Sequence, residues 1–183
     1  MSAIEFLLNR QSNGFLRAPA PNTTDLDVIL TAALAVPDHA GLNPYKFHII
    51  ENQGLAKLTK IYVQAIKANT DDQLKLEKAK KMAYRAPMTI VVSTHYQHHP
   101  KVPKQEQLIT AGCAAHAMQM AAGALGYGAM WRTGDLAYSD IVKTGLGIES
   151  GNDIVGFLYL GTKSKELTNK PRRNHDQYTE YWN

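Results

Sequence analysis

Three short stretches of this 183-residue sequence bring together side chains that bind polar ligands. The first is Asn9-Arg10-Gln11-Ser12, a guanidinium two residues before a hydroxyl. Arginine offers a bidentate fork and serine a short donor, both suited to phosphate. The plain alternative is that Arg10 complements a helix C-terminus and Ser12 closes a local turn. A basic run, Lys170-Pro171-Arg172-Arg173, stands near the C-terminus. The second stretch is Val36-Pro37-Asp38-His39 followed by Asn43-Pro44-Tyr45-Lys46-Phe47, a loop that runs into a strand. Asn43 and Lys46 there are placed to hydrogen-bond a polar heterocycle with Tyr45 beneath it; otherwise Tyr45 is a core anchor beside a turn. The third is Leu125-Gly126-Tyr127-Gly128-Ala129-Met130-Trp131-Arg132-Thr133-Gly134. Its glycines allow close backbone approach, and Trp131 and Arg132 supply a stacking plane and a cation. A helix-capping glycine followed by a core tryptophan is the plainer account.

Other chemistries find no support. There is no Gly-x-Gly-x-x-Gly after a strand and no Walker loop, so the common nucleotide folds are not indicated. No Gly-x-Ser-x-Gly occurs. His95, His98 and His99 cluster, but no cysteine or acid stands at supporting spacing, so no metal is expected. Cys113, inside an alanine-rich helix, is expected to be a buried, inert thiol. As the single cysteine it excludes an intrachain disulfide and fits a reducing compartment. A net charge of +4 permits an acidic ligand without calling for nucleic acid. The lysines of 75–81 (KLEKAKK) read as a solvated helix face. Residues 111–125, the most apolar run, are broken by His116 and Gln119 and fall short of the roughly 18 residues of a membrane span. With no signal pattern at the N-terminus, a soluble cytoplasmic protein is expected.

The elements that must position these residues follow from periodicity and punctuation. Ile4, Leu7 and Leu8 share a helical face over 2–9. Residues 10–21 read as a loop. Thr24 caps a helix over 25–36 that Pro37 stops. Residues 46–51 form a strand and 55–67 a helix. Asp71 caps a helix reaching about Tyr84. Met88–Thr94 (MTIVVST) is β-branched without alternation, as in a strand buried on both faces. A long helix covers 105–125, strands cover 129–133 and 153–161, and a short helix lies around 139–144. Helices come first and then mingle with strands without a strict βαβ repeat, which favours one α+β domain over 1–183. The long helix carries Ala, Gly and Met on nearly every face, so it must be buried nearly all round, by its own domain or by a second subunit.

Taken in order, these segments resemble the FMN-dependent nitroreductase family, in particular its compact bacterial branch of NAD(P)H nitroreductases. The likeness covers about 2–162. It rests on Asn-Arg-x-Ser, Ala-x-Pro-Asp-His, Lys101-Val102-Pro103, Ala111-Gly112-Cys113-Ala114, Met118-Gln119-Met120-Ala121-Ala122, Gly126-Tyr127-Gly128, Trp131-Arg132-Thr133-Gly134 and Ile154-Val155-Gly156-Phe157-Leu158-Tyr159-Leu160-Gly161. The resemblance implies a nitroreductase-like α/β sandwich with a central mixed sheet flanked by helices, in an intertwined homodimer. It implies FMN held by Arg10, Gln11 and Ser12, with Trp131, Arg132 and Thr133 along it. Ala35, Pro37, His39 and Asn43 would meet the flavin from the loop after the second helix, with Ala35 and His39 arriving from the partner subunit. Ala121, Ala122, Gly123, Ala124, Leu125 and Gly126 lie where the nicotinamide nucleotide is expected.

The chain departs from the family pattern at several points. Gln11 and Gly14 replace the second and third arginines of Arg-Arg-Ser-x-Arg, which leaves the phosphate short of charge unless Arg172, Arg173 or a lysine supplies it. Asn43-Pro44-Tyr45 stands for Gln-Pro-Trp, and Ala35 for a commoner arginine. The tail after Thr162 matches poorly. The activity implied is ping-pong hydride transfer through flavin N5, from NAD(P)H to a small electron-poor acceptor such as a nitroaromatic or quinone. Alternatives are another FMN reaction on the same fold, dehalogenation or flavin destruction, and an FMN storage or sensing module. No side chain is assigned as a catalytic acid, because water and the flavin can handle the protons.

Overall fold

The computed structural model describes residues 2–168, 170–171 and 173–183. All ten predicted segments appear, most with ends shifted by a residue or two. α1 (Ala3–Asn9) opens with a capping box in which Ser2 and Glu5 satisfy each other's backbone N–H groups. α2 (Thr23–Leu34) starts two residues before the expected point. Asn22, not Thr24, is the cap, its side chain accepting from the Asp25 N–H at 2.8 Å. β2 (Tyr45–Glu51) leads into α3 (Gln53–Lys67) and α4 (Gln73–Met82). Asp72 rather than Asp71 caps α4, accepting from the Leu74 and Lys75 N–H groups. The chain then tightens into a 3-10 turn at Ala83–Arg85, where a continuous helix was expected. β3 (Met88–Thr94) is buried at every position, as its unbroken apolar run implied. α5 (Lys104–Ala124), β4 (Gly128–Arg132), α6 (Asp140–Gly145) and β5 (Ile154–Lys163) complete the fold. The 10–21 loop hides a two-residue strand, β1 (Leu16–Arg17), paired with the end of β5.

The sheet differs from the mixed arrangement expected. All four recorded pairings, β1–β5, β2–β3, β3–β5 and β4–β5, are antiparallel. The connection between β2 and β3 shows why. One crossover helix would return the chain to the starting end and make the next strand parallel. Here two packed helices, α3 and α4, take the chain down and back, so β3 enters from the opposite end.

Side chains alternate across the sheet and build a core on each face. Ile90, Val92, Leu158 and Leu160 pack against α2 and α5. Val91, Phe157 and Tyr159 pack against α3, α4 and α6. The site elements hang on this frame: the loop after α1, the loop after α2, β4 and both ends of α5.

Within the single chain, α5 is buried along one side only, so its own domain does not supply the all-round burial. Gln107, Ala111, Ala114, Ala115, Met118 and Ala122 face the core. A stripe through Leu108, Ile109, Gly112, Cys113, His116, Ala117, Met120 and Ala124 stays wholly or half accessible, with Ile109 59% exposed. Cys113 is therefore half-buried in the single chain, not enclosed. α1 presents Ile4, Leu7 and Leu8 to the exterior in the same way. Among the described residues, no helix is long and apolar enough to cross a membrane.

Candidate functional site

Arg10 leaves α1 as its C-cap and stands exposed, with no ion pair or side-chain hydrogen bond among the described residues. It lines a cavity of about 640 Å³ with Gln11, Asn13, Gln119, Gly123, Ala124 and Lys163. The loop behind it is pinned. The Asn13 N–H donates to the Ala129 carbonyl at 2.9 Å, and its side-chain amide to the Lys165 carbonyl at 2.8 Å. Ser12 Oγ accepts from Gln119 Nε2 at 3.1 Å. Gln119 sits about one and a half turns from the end of α5; it belongs to one of the family motifs, but the sequence assigned it no role. Gln11 does different work from the arginine it replaces. Its Nε2 donates to the Leu167 and Thr168 carbonyls, at 3.4 and 3.1 Å, and so ties down the segment after β5. Its Oε1 is buried without a partner. Of the basic run near the C-terminus, Lys170 and Arg173 are exposed and Arg172 lies outside the described residues.

Gly14, where the family pattern has an arginine, faces a guanidinium from elsewhere. A Cβ at this position would come 3.2 Å from Arg132 Nη2. The neighbouring residues of β4 point to opposite faces of the sheet. Arg132 lies over the Tyr159 ring at 6.0 Å. Trp131 packs on α5 near Gly112 and donates its indole N–H to the Val155 carbonyl at 3.3 Å. A Cβ at Gly156 would collide with the Trp131 indole, so that glycine makes room for the ring. Thr133 is exposed at the end of the strand.

The expected nicotinamide segment closes α5. Gly123 and Ala124 line the cavity, Ala121 is half-buried, and Leu125 and Gly126 are exposed. Ala122 points into the core and is fully buried, so its side chain touches no ligand. Gly126, at φ +91°, occupies the left-handed region that glycine alone enters freely.

The second group gathers at the other end of α5. Ala35 caps α2, and with Pro37, His39 and Asn43 it is exposed. Asp38 holds the loop together by accepting from the Leu42 and Asn43 N–H groups, at 3.1 and 2.7 Å. Within it Ala40, Gly41 and Asn43 all have positive φ (66°, 63° and 48°). For alanine this is a strained conformation that the surrounding contacts must impose. Two of those contacts come from α5: Thr110 Oγ1 donates to the Pro37 carbonyl at 3.2 Å, and Glu106 lies 2.7 Å from His39 Nδ1. Tyr45 is a core residue stacked on Phe47 with ring centroids 5.1 Å apart, and Lys46 points outward. The core-anchor reading of Tyr45 is the one the structure bears out.

The sequence profile of the nitroreductase family matches residues 8–162. The chain belongs to the nitroreductase family. A relative from Escherichia coli (strain K12), "Putative NAD(P)H nitroreductase YdjA", is 43% identical over 163 residues, covering 88% of each chain. The nitroreductase-like family protein from Bacillus cereus superposes with a TM-score of 0.87 at 22% identity, over 100% of this chain and 96% of that one. A nitroreductase with bound FMN from Bacteroides fragilis gives 0.73 at 21% identity, over 98% of each chain. At these identities the two structures bear on the nitroreductase fold, and the E. coli relative extends the likeness to sequence.

In one chain the nitroreductase site residues form two groups that do not meet. Ser12 is held at Gln119 and His39 at Glu106, positions thirteen residues apart on one helix. That separation is about 20 Å at ~1.5 Å per residue.

Proposed function

We propose that this chain is an FMN-dependent NAD(P)H oxidoreductase acting in the cytoplasm as a homodimer, with each site built from two chains. The observation that carries the reading is the split of the site residues between the two ends of α5. If two α5 helices pack antiparallel about a two-fold axis through their open stripes, the His39 end of one meets the Ser12 end of the other. Small residues on the stripe (Gly112, Ala117, Ala124) permit that close approach.

The residues present suit FMN. The cavity of about 640 Å³ falls within the ~300–1,000 Å³ usual for cofactor sites. One side carries Arg10, free of ion pairs among the described residues, and Lys163, 3.6 Å from Glu166, as donors for a phosphate, and another is backbone at Gly123, Ala124 and Gly128, against which a flat ring can lie. Bound there, FMN would supply the redox chemistry, hydride transfer at N5 between NAD(P)H and an electron-poor acceptor such as a nitroaromatic or quinone.

The chain's own residues bind and orient. Arg10 holds the phosphate by a charge-assisted bond, and Ser12 is oriented for the ribityl chain by Gln119. His39 approaches from the partner, its ring fixed at Nδ1 by Glu106 so that Nε2 faces the ligand. Trp131 and Thr133, outside the lining of this cavity, would flank the cofactor, and Ala121, Gly123 and Ala124 leave room for the nicotinamide. The E. coli relative's name and the FMN held by the B. fragilis structure support this reading. The test is the visible spectrum of the purified protein together with NAD(P)H oxidation on adding menadione or a nitroaromatic. A colourless protein that does not take up added FMN contradicts it.

A further inference from the structure

On the face of the sheet away from α5 lies a separate cavity of about 340 Å³. Arg85, from the 3-10 turn after α4, and Arg132, from the end of β4, both line it, with the phenols of Tyr62 and Tyr159. Met130 and Phe157 contribute apolar wall. No aspartate or glutamate lines the cavity, and neither guanidinium makes an ion pair among the described residues. Tyr62 is fully buried and its hydroxyl makes no well-formed hydrogen bond, the Tyr159 phenol being the neighbour close enough to influence it. Burial pushes the Tyr62 pKa up, so the phenol stays protonated and remains a donor.

Buried polar groups are nearly always satisfied, and two guanidiniums lining one cavity without a carboxylate have no opposite charge to offset them. Two cations and one phenolic O–H facing one small space form a donor set with nothing of opposite sign to receive it. We propose that this cavity is an oxyanion-binding site, in which Arg85 and Arg132 hold a carboxylate or phosphate group and Tyr62 donates a hydrogen bond to it. The apolar walls admit a ligand with a small apolar body beside its charge. Arg85 and Tyr62 carry this role, and neither belongs to the cofactor residues above. Trp131, Arg132 and Thr133, which the family resemblance places along the flavin, line this cavity too, so the site borders the proposed cofactor while Arg85 and Tyr62 extend beyond it. Its anion comes either from a separate small ligand or from the flavin itself, brought near Arg132.

The test is calorimetric titration of the full chain with benzoate and with inorganic phosphate, FMN-loaded and again after flavin removal. One of the two anions is expected to bind, at least tenfold more weakly in Arg85→Gln and several-fold more weakly in Tyr62→Phe. Arg85→Lys should recover part of the affinity, and it replaces Arg85→Gln if circular dichroism shows that variant misfolded. Binding to FMN-loaded protein assigns the anion to a separate ligand. Binding only after flavin removal, abolished by added FMN, assigns it to the cofactor. If neither state binds either anion, or if the substitutions leave binding unchanged, the proposal is overturned.

Discussion

In the proposed site, Arg10 is the residue on which the phosphate end turns. With Gln11 committed to the Leu167 and Thr168 carbonyls and Gly14 without a side chain, two of the three cations in the family pattern are gone. Arg10→Ala should remove a charge-assisted contact of about 1.5–3 kcal/mol and weaken FMN binding at least tenfold, read by fluorescence titration. Unchanged affinity removes Arg10 from the site. Gly156 gives a sharper steric case, because a methyl group there collides with the Trp131 indole. Gly156→Ala should cost about 1–3 kcal/mol in urea unfolding through overpacking, and should shift the Trp131 fluorescence. Arg10, Ser12 and His39 were legible in the sequence as residue types in a motif. The contacts of Glu106 and Gln119 were not, since their partners lie 67 and 107 residues away and no local pattern records such a contact. The Arg132 guanidinium that faces Gly14 was hidden for the same reason.

Elements were more legible than contacts. The apolar run of β3 and the small-residue run of α5 announced themselves because burial on both faces removes polar positions. β1 escaped notice, being two residues inside a Ser/Asn/Gly/Pro loop. The antiparallel order escaped too, although both α3 and α4 were recognised, because strand direction depends on how many helices intervene. β2 also carries a pH-sensitive group. His48 bonds Ser93 across to β3 at 3.1 Å, and its pKa is lowered, first by burial and then by the Lys46 charge. A histidine held neutral in the fold takes up its proton more readily when unfolded. Its contribution is therefore complete above the ordinary histidine pKa and is lost as pH falls toward the lowered folded value. Urea unfolding should show stability declining over that acid range, and His48→Gln should flatten the decline. An identical pH profile in the variant would contradict the assignment.

At the scale of the whole molecule, the proposed site needs a second chain. The open stripe of α5, with Leu108 and Ile109 on it, and the exposed Ile4, Leu7 and Leu8 of α1 leave more apolar surface than a monomer usually exposes. The sequence announced an apolar helix but left open whether its own domain or a second subunit covered it. The single-chain structure leaves one side for a partner. A paired interface of the order of 2,000–5,000 Å² would make association and folding inseparable, so thermal stability should rise with protein concentration. Ala117→Glu places a charge in that stripe and should abolish the dimer and the yellow colour together. Loss of one without the other would separate assembly from cofactor binding. The most direct measurement of the two-chain site is light scattering on a size-exclusion column with flavin absorbance recorded across each peak. The account predicts a single species of twice the chain mass carrying one FMN per chain; a monomer peak that retains stoichiometric FMN would contradict it.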